Sequence, residues 1–202
     1  RGNHDEYTSN GNIEMSGFNP HAKKAIEWTR AHLDEDERAW IGSAPFRSTM
    51  QECNTTLVHA TLDSPENWGY IFAADNFNYQ FTSLCFCGHS HVPVAFCKKP
   101  IATNLEELEE WNYNPEIEDD NFDYTLADEL PVEVKVGYKY LFNVGSIGQP
   151  RNRDPRASFA VLDTVSRYVT RYRLPYDIAS QQQKILDAGL PERLALRLAN
   201  GS

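Results

Sequence analysis

The chain has 202 residues, of which 41% are hydrophobic, and this predicts one domain with a sizeable core. Its formal net charge of −10 at pH 7 argues against a broad nucleic-acid or membrane surface, because such partners attract clustered lysine and arginine side chains. The sequence has no apolar run of about 18 residues and no signal-peptide hydrophobic region, which favours a cytoplasmic protein that does not span a membrane.

The first five residues, Arg1 to Asp5, form a glycine-framed motif that contains an asparagine and a histidine. Metal centres use oxygen and nitrogen ligands of this kind, and acid-base sites use an imidazole. A Gly-Asn-His-Asp turn normally follows a strand, so we expect further residues of the same fold before Arg1. Asp5 either orients His4 or accepts backbone hydrogen bonds within the turn, and we leave it out of the metal set.

Two helices are predicted next. Asn19 and Pro20 have the properties of an N-cap and a first helical residue, and small and apolar residues recur at helical spacing up to Leu33. Asp34 starts another helix, because Glu37 lies three residues later and completes a capping box. We assign two histidines of these helices to the solvated surface and two tryptophans to the core: His21, His32, Trp28 and Trp40.

Two strands are predicted to end in histidine loops. The β-branched and apolar stretch 55–59 ends at His59, and the stretch 81–87 ends abruptly at Gly88. The cysteines lack the C-x-x-C spacing of a zinc site, so we expect buried free thiols rather than disulfides or metal ligands. They are Cys53, Cys85, Cys87 and Cys97.

An acidic segment follows at about 102–130, and we expect a solvated excursion from the core. Binding of a basic partner or shielding of a site mouth is the alternative. Three short runs then predict antiparallel strands of a second sheet, at 138–142, 158–162 and 168–173.

The C-terminal residues 177–202 are predicted to form helices, the first of which is ended by Gly189. We expect this extension to pack on the domain formed by residues 1–176. Some strands alternate with helices and others are consecutive. This pattern predicts an α+β fold with α/β/β/α layers, in which two mixed sheets pack face to face and are flanked by helices.

Four side chains at the predicted strand ends have the chemistry of metal ligands. His59, His89 and His91 offer neutral nitrogen donors, and Asn3 offers an uncharged carbonyl oxygen. Gly88 permits a close backbone approach. A two-metal phosphoesterase needs nitrogen and oxygen ligands on separate loops, so this set points to phosphoester chemistry at a metal centre.

The chain resembles the calcineurin-like metallophosphoesterase superfamily, in the branch of bacterial predicted phosphodiesterases and diadenosine tetraphosphatase-like phosphatases. The resemblance covers nearly the whole chain. The matching stretches are residues 1–5, 18–20 with 28–30, 57–59, 88–91, 143–151 with 154–158, and 189–192 with 197–198.

This resemblance implies a function for the protein as well as a fold. It implies that Asn3, His59 and His89 bind one divalent metal ion, that His91 binds a second, and that His4 is the general acid. A hydroxide that bridges the ions would attack the phosphorus of a small phosphomonoester, phosphodiester or nucleotide polyphosphate. Mixed nitrogen and oxygen ligation would accept Mn, Fe, Zn, Ni or Co.

The chain departs from the family pattern, because the leading Asp-x-His and Gly-Asp motifs are absent. We expect these motifs in about 50 further residues upstream of Arg1, or in a second chain that completes the site. The chain alone is then expected to be weakly active or inactive. The alternative is a binding or scaffold module that keeps the fold without catalysis.

A further arginine is a candidate for substrate binding. Arg151, Arg153 and Arg156 follow the turn 145–148, whose backbone N–H groups either lie near a phosphate or only return the chain to the sheet. A bidentate arginine suits phosphate, although Asp154 offers internal pairing to any of the three. We assign Arg151 to the substrate.

Overall fold

A computed structural model of the protein describes residues 1–16, 18–72, 81, 83–98, 108–111 and 130–202. The helices in these ranges are α1 (Asn3–Ser9), α2 (Pro20–His32), α3 (Glu35–Ser43), α4 (Ile178–Asp187) and α5 (Glu192–Leu196). The strands are β1 (Arg47–Met50), β2 (Thr55–Val58), β3 (Leu84–Cys87), β4 (Val94–Lys98), β5 (Leu108–Trp111), β6 (Leu130–Glu133), β7 (Lys139–Asn143), β8 (Ala157–Asp163) and β9 (Tyr168–Leu174). No helix in the described ranges is long and apolar enough to cross a membrane.

The strands form a six-stranded sheet of order β1-β2-β3-β7-β4-β5 and a three-stranded sheet of order β6-β9-β8. In the larger sheet β2, β3 and β7 are parallel, and the other pairings are antiparallel. The predicted two-sheet α+β fold is confirmed. The smaller sheet, however, is antiparallel throughout rather than mixed.

Strand β7 corrects a second expectation, because it lies in the middle of the larger sheet and not in the second one. Four of its five residues, from Tyr140 to Asn143, are buried. A strand that is covered on both faces is more stable between two neighbours than at an edge. Its parallel pairing with β3 places the loop after Asn143 beside the loop after Cys87.

The two faces of the larger sheet contribute to two apolar clusters. Cys85, Phe96 and Leu141 lie in a cluster on one face. Leu84, Tyr140 and Phe142 lie on the other face, in a cluster with Val169 of β9 from the smaller sheet. The alternation along β3 and β7 therefore packs the two sheets face to face.

The cysteines are free thiols, and three of the four are buried; Cys53 is half-buried. Burial raises the pKa of Cys85 to about 12. This thiol stays protonated near neutral pH and behaves as an apolar side chain of the core.

The helix starts follow from local capping. The Asn19 side chain accepts a hydrogen bond from the backbone N–H of His21 at 2.9 Å. Asp34 and Glu37 form the predicted capping box, with bonds of 2.8 and 2.9 Å. The assignment of Trp40 to the core is wrong, because its side chain is 77% exposed on α3, a helix with no fully buried residue.

The C-terminal segment contacts the domain at a loop that contains a buried ion cluster. The Asp154 carboxylate accepts hydrogen bonds from Arg156 at 2.7–3.2 Å and from Arg173. Gly201 has a φ of +59°, and a Cβ atom there would lie 2.7 Å from the backbone of Asp154. The backbone N–H of Arg153 also donates to the Gly201 carbonyl at 2.8 Å. The tail thus fixes the loop that follows β7.

Little of the acidic segment at about 102–130 lies within the described residues. Leu108–Trp111 forms β5, the edge strand beside β4, and Leu130 begins β6. The expectation of a solvated excursion otherwise falls outside the described residues.

Candidate metal centre

The predicted histidines meet because β2 and β3 are adjacent and parallel. His59 directly follows β2, and the Gly88–His91 turn directly follows β3. The Gly88 backbone N–H donates to the His59 carbonyl at 3.0 Å and ties the two strand ends together. The carboxyl ends of parallel strands share one edge of the sheet, which is where ligands bind in many α/β sheets.

His59 and His89 face each other across this edge. The distance from His59 Nε2 to His89 Nδ1 is 3.3 Å. Two imidazole nitrogens on one tetrahedral Zn²⁺, each at about 2.0–2.1 Å from the ion, are separated by about 3.3–3.4 Å. The pair therefore has the spacing of two ligands of a single divalent ion.

The backbone of the Gly88–His91 turn is unusual. His89 has a φ of +62° and His91 a φ of +61°, so both adopt the left-handed backbone conformation that residues other than glycine rarely adopt. Such conformations cost about 1–3 kcal/mol each and concentrate at functional sites. Here they turn two imidazoles, separated by Ser90, toward the same end of the sheet.

The site keeps its imidazoles neutral. Desolvation, and next the neighbouring His89, lowers the pKa of His59 to about 4. Desolvation and Arg151 lower the pKa of His91 to about 4 as well. The pKa of His89 is also lowered, mainly by desolvation. Neutral imidazole is the form that binds metal ions, so these ligands are available at neutral pH.

The ring of His91 is oriented by the backbone. Its Nδ1 lies 2.6 Å from the Gln149 carbonyl oxygen, a contact that requires a proton on Nδ1. The lone pair is then on Nε2. Metal-binding histidines usually donate their second ring N–H to a carbonyl or carboxylate in this way, which fixes the tautomer.

The Gly2–Asp5 motif starts a helix rather than forming an isolated turn. Asn3 and His4 lie in the first turn of α1, and Asp5 Oδ2 accepts a hydrogen bond from the Gly2 N–H at 2.8 Å. This supports the capping interpretation of Asp5 over a metal role. A Cβ atom on Gly2 would lie 2.8 Å from the His59 ring, so only glycine fits this close approach.

Five of the predicted residues line one cavity of about 540 Å³: Asn3, His4, His89, His91 and Arg151. His59 lies behind His89, with ring centroids 5.1 Å apart. The exposed side chain of His4 faces this space, and its pKa is lowered by desolvation and by Arg151 and raised by Asp5. The sequence-based set is thus brought together at one place.

Other lining residues were not predicted from the sequence: Trp68, Tyr70, His21, Arg193 and Arg197. Tyr70 stacks on His89 at 4.4 Å between ring centroids. The sequence feature that could have identified Trp68 and Tyr70 is their position in the loop after His59. His21 is half-buried on the part of α2 that faces the cavity and is not a fully solvated surface residue.

Within the described residues, no group of three or more His, Cys, Asp or Glu side chains is close enough to hold a metal ion. The His59–His89 pair with Asn3 nearby therefore includes only two ligands of these types. The assignment of a binuclear centre stays a prediction.

No protein-family model matches this chain. It is 31% identical to the uncharacterized protein MJ0912 of Methanocaldococcus jannaschii, over 99% of this chain and 74% of that protein.

Two solved structures resemble the fold. One is a metallophosphoesterase from Sphaerobacter thermophilus, with 35% identity and a TM-score of 0.75, over 100% of this chain and 75% of that chain. The other is the hypothetical protein PH1004 of Pyrococcus horikoshii, with 15% identity and a TM-score of 0.66, over 100% of this chain and 72% of that chain. At 15% identity the second structure supports the fold alone.

Proposed function

This chain belongs to the calcineurin-like metallophosphoesterase superfamily, and from that premise we propose that the protein hydrolyses a small phosphoester with divalent metal ions at the histidine cluster formed by His59, His89 and His91. The observation that carries the proposal is the facing pair of His59 and His89. Their nitrogens are 3.3 Å apart at the carboxyl end of two parallel strands, and burial keeps both rings neutral.

The donors fit a divalent transition metal. We propose that Asn3, His59 and His89 hold one ion and His91 a second, with Mn, Fe, Zn, Ni or Co as the candidates for neutral nitrogen and amide-oxygen ligands. When bound, such ions would polarise the phosphoryl oxygens and make a water molecule a better nucleophile.

Two side chains of the cavity would act on the substrate directly. We propose that His4 gives a proton to the leaving oxygen, since it lies beside Asn3 on α1 and lines the cavity. Desolvation by the surrounding cavity wall and the charge of Arg151 lower the pKa of its ring in the free protein. A bound phosphate dianion would favour the protonated form, because an opposite charge within a few ångströms stabilises it. Arg151 would pair with phosphoryl oxygens.

The test measures metal content and turnover on the same samples. Full-length protein is prepared with added Mn²⁺, and hydrolysis of p-nitrophenyl phosphate and bis-p-nitrophenyl phosphate is followed beside elemental analysis by mass spectrometry. We expect bound metal and hydrolysis, and both should fall in His89→Asn, which removes one member of the facing pair. His32→Asn, on the exposed side of α2, is the matched control.

Absence of both metal and turnover, even with Mn²⁺ in excess, would overturn the enzyme proposal. The scaffold alternative would then be the better account of the fold. Equal metal loss in His89→Asn and His32→Asn would instead reject the histidine pair as the metal site.

A further inference from the structure

The cavity beside the histidine cluster has a charge that differs from the rest of the chain. The sequence contains 29 acidic and 19 basic residues, yet the described lining of this cavity includes three arginines and no Asp or Glu. A surface of average composition for this chain would contain more carboxylates than guanidinium groups. The cavity wall formed by Arg151, Arg193 and Arg197 is therefore positively charged, although the chain as a whole has a net negative charge.

These arginines are not neutralised by internal pairing. No Asp or Glu side chain pairs with Arg151, Arg193 or Arg197 among the described residues, in contrast to Arg156 and Arg173, which pair with Asp154. Like charges held together without carboxylates cost free energy, which a bound anion would offset.

The shared partner of two of them is neutral. Arg151 and Arg197 each donate a hydrogen bond of 3.0 Å to the Gln149 side-chain oxygen, and Arg197 also donates to the backbone oxygen of Ser202. One amide oxygen thus holds two guanidinium groups side by side. Burial and the charges of Arg151 and Arg193 lower the pKa of Arg197, which is consistent with this crowding.

The three arginines extend outward from the metal centre. Arg151 is next to the histidines, since its backbone N–H donates to the His91 carbonyl at 3.2 Å and it lines the same cavity as His4 and His89. Arg193 and Arg197 come from α5 and the turn after it, and at a spacing of four residues they face the same side of this segment. The positive charge therefore has an inner part at Arg151 and an outer part on the C-terminal segment.

We propose that Arg193 and Arg197 form a subsite for a second phosphate group, so that the site binds diphosphates and longer polyphosphate esters in preference to compounds with a single phosphate. This rests on the proposed function for the identity of the reaction. The reacting phosphate would lie at the histidines and Arg151, and the adjoining phosphate would lie at the outer arginines. A planar guanidinium matches two phosphate oxygens at once, which explains why arginine rather than lysine lines the wall.

Binding to the metal-free protein tests this subsite separately from hydrolysis. Inorganic pyrophosphate and orthophosphate are titrated into chelator-treated protein by isothermal titration calorimetry. We expect pyrophosphate to bind at least tenfold more tightly, and Arg193→Gln to weaken pyrophosphate about tenfold while changing orthophosphate less than threefold. Arg193→Gln is the cleanest variant, because no hydrogen bond or ion pair within the described residues depends on that side chain.

Matched controls separate the subsite from general charge. Lys184→Gln removes one positive charge from the exposed face of α4, in the same tail but outside the cavity, and should leave pyrophosphate affinity unchanged. Arg197→Lys keeps the charge but not the fork geometry, and it should weaken pyrophosphate binding by less than Arg197→Gln. Thermal unfolding midpoints establish that each variant is folded.

Equal affinity for the two anions, or equal effects of Arg193→Gln and Lys184→Gln, would overturn the subsite. Neither result would bear on phosphoester hydrolysis, which is measured with metal present. Conversely, a protein without turnover that still binds pyrophosphate through Arg193 would retain the subsite and lose the proposed reaction.

Discussion

Acidification should destabilise the metal-free chain through its buried neutral histidines. The pKa values of His59 and His91 are each lowered from the ordinary 6.5 to about 4. Between these values the unfolded chain binds protons that the folded chain does not, so the free energy of unfolding decreases as pH falls from 6.5 to 4 and is unaffected by these rings above that range.

The magnitude follows from the size of the shifts. One pKa unit corresponds to about 1.4 kcal/mol. On acidification, each ring can therefore lower the free energy of unfolding by at most about 3.4 kcal/mol. Both residues are half-buried, and halving the value for solvent screening leaves about 1.5–2 kcal/mol each. The pair would then remove about 3–4 kcal/mol from a total stability that is typically about 5–15 kcal/mol.

Urea unfolding in the presence of a chelator measures this effect at pH 7 and pH 4. Carboxylates also titrate in this range, so the informative quantity is the difference between wild type and His91→Gln. The variant should lose about 1.5–2 kcal/mol less than wild type on acidification. His32→Gln, on the exposed face of α2, should behave like wild type. Identical pH dependence in wild type and His91→Gln would refute the burial argument.

Three further substitutions test separate parts of the site. His4→Ala should lower turnover of phenyl phosphate about 100-fold with metal content unchanged, because a general acid typically contributes that much; wild-type turnover would reject the acid assignment. Gly2→Ala should weaken Mn²⁺ binding about 10–100-fold in calorimetry, because its Cβ would lie 2.8 Å from the His59 ring; unchanged affinity would mean that the ring is free to move. Asp154→Asn should lower the free energy of unfolding in urea by about 3–5 kcal/mol, because two buried arginines lose their counter-charge; a loss below about 1 kcal/mol would contradict this.

The parts of the fold that could be predicted from sequence are those determined over a few residues. Asn19 and the Asp34–Glu37 pair form their predicted caps, because capping depends on groups three residues apart or closer. The histidines were placed at strand ends by the abrupt change from β-branched residues to a loop. Those strand ends lie side by side because β2 and β3 are adjacent and parallel.

The pairing of strands that are far apart in the sequence could not be predicted from such local patterns. The stretch 138–142 has the composition of a strand in either sheet, and its place in the larger sheet follows from pairing with β3, more than 50 residues earlier. Trp40 shows the converse limit, because helical spacing indicates a periodic face but not whether another element covers it.

The outer arginines were missed for the same physical reason. Arg193 and Arg197 are far in sequence from Asn3, and charged residues in a short C-terminal helix are usually solvated. Their position beside the histidines depends on two contacts of the tail: the hydrogen bond from Arg153 N–H to the Gly201 carbonyl, and the close packing of Gly201 on the Asp154 backbone. Neither contact has a local sequence signal.

Gln149 connects the candidate metal centre with the arginine wall through two different atoms. Its backbone carbonyl accepts a hydrogen bond from the Nδ1–H of His91, and its side-chain oxygen accepts hydrogen bonds from Arg151 and Arg197. Replacement of the side chain would release the arginines without removing the carbonyl that orients the imidazole. The two functions are therefore chemically separable although they meet in one residue. Orientation of the proposed metal ligand His91 depends on the backbone after β7, whereas the arrangement of the proposed anion-binding arginines depends on a side chain. The proposed substrate preference can therefore change without loss of the proposed metal site.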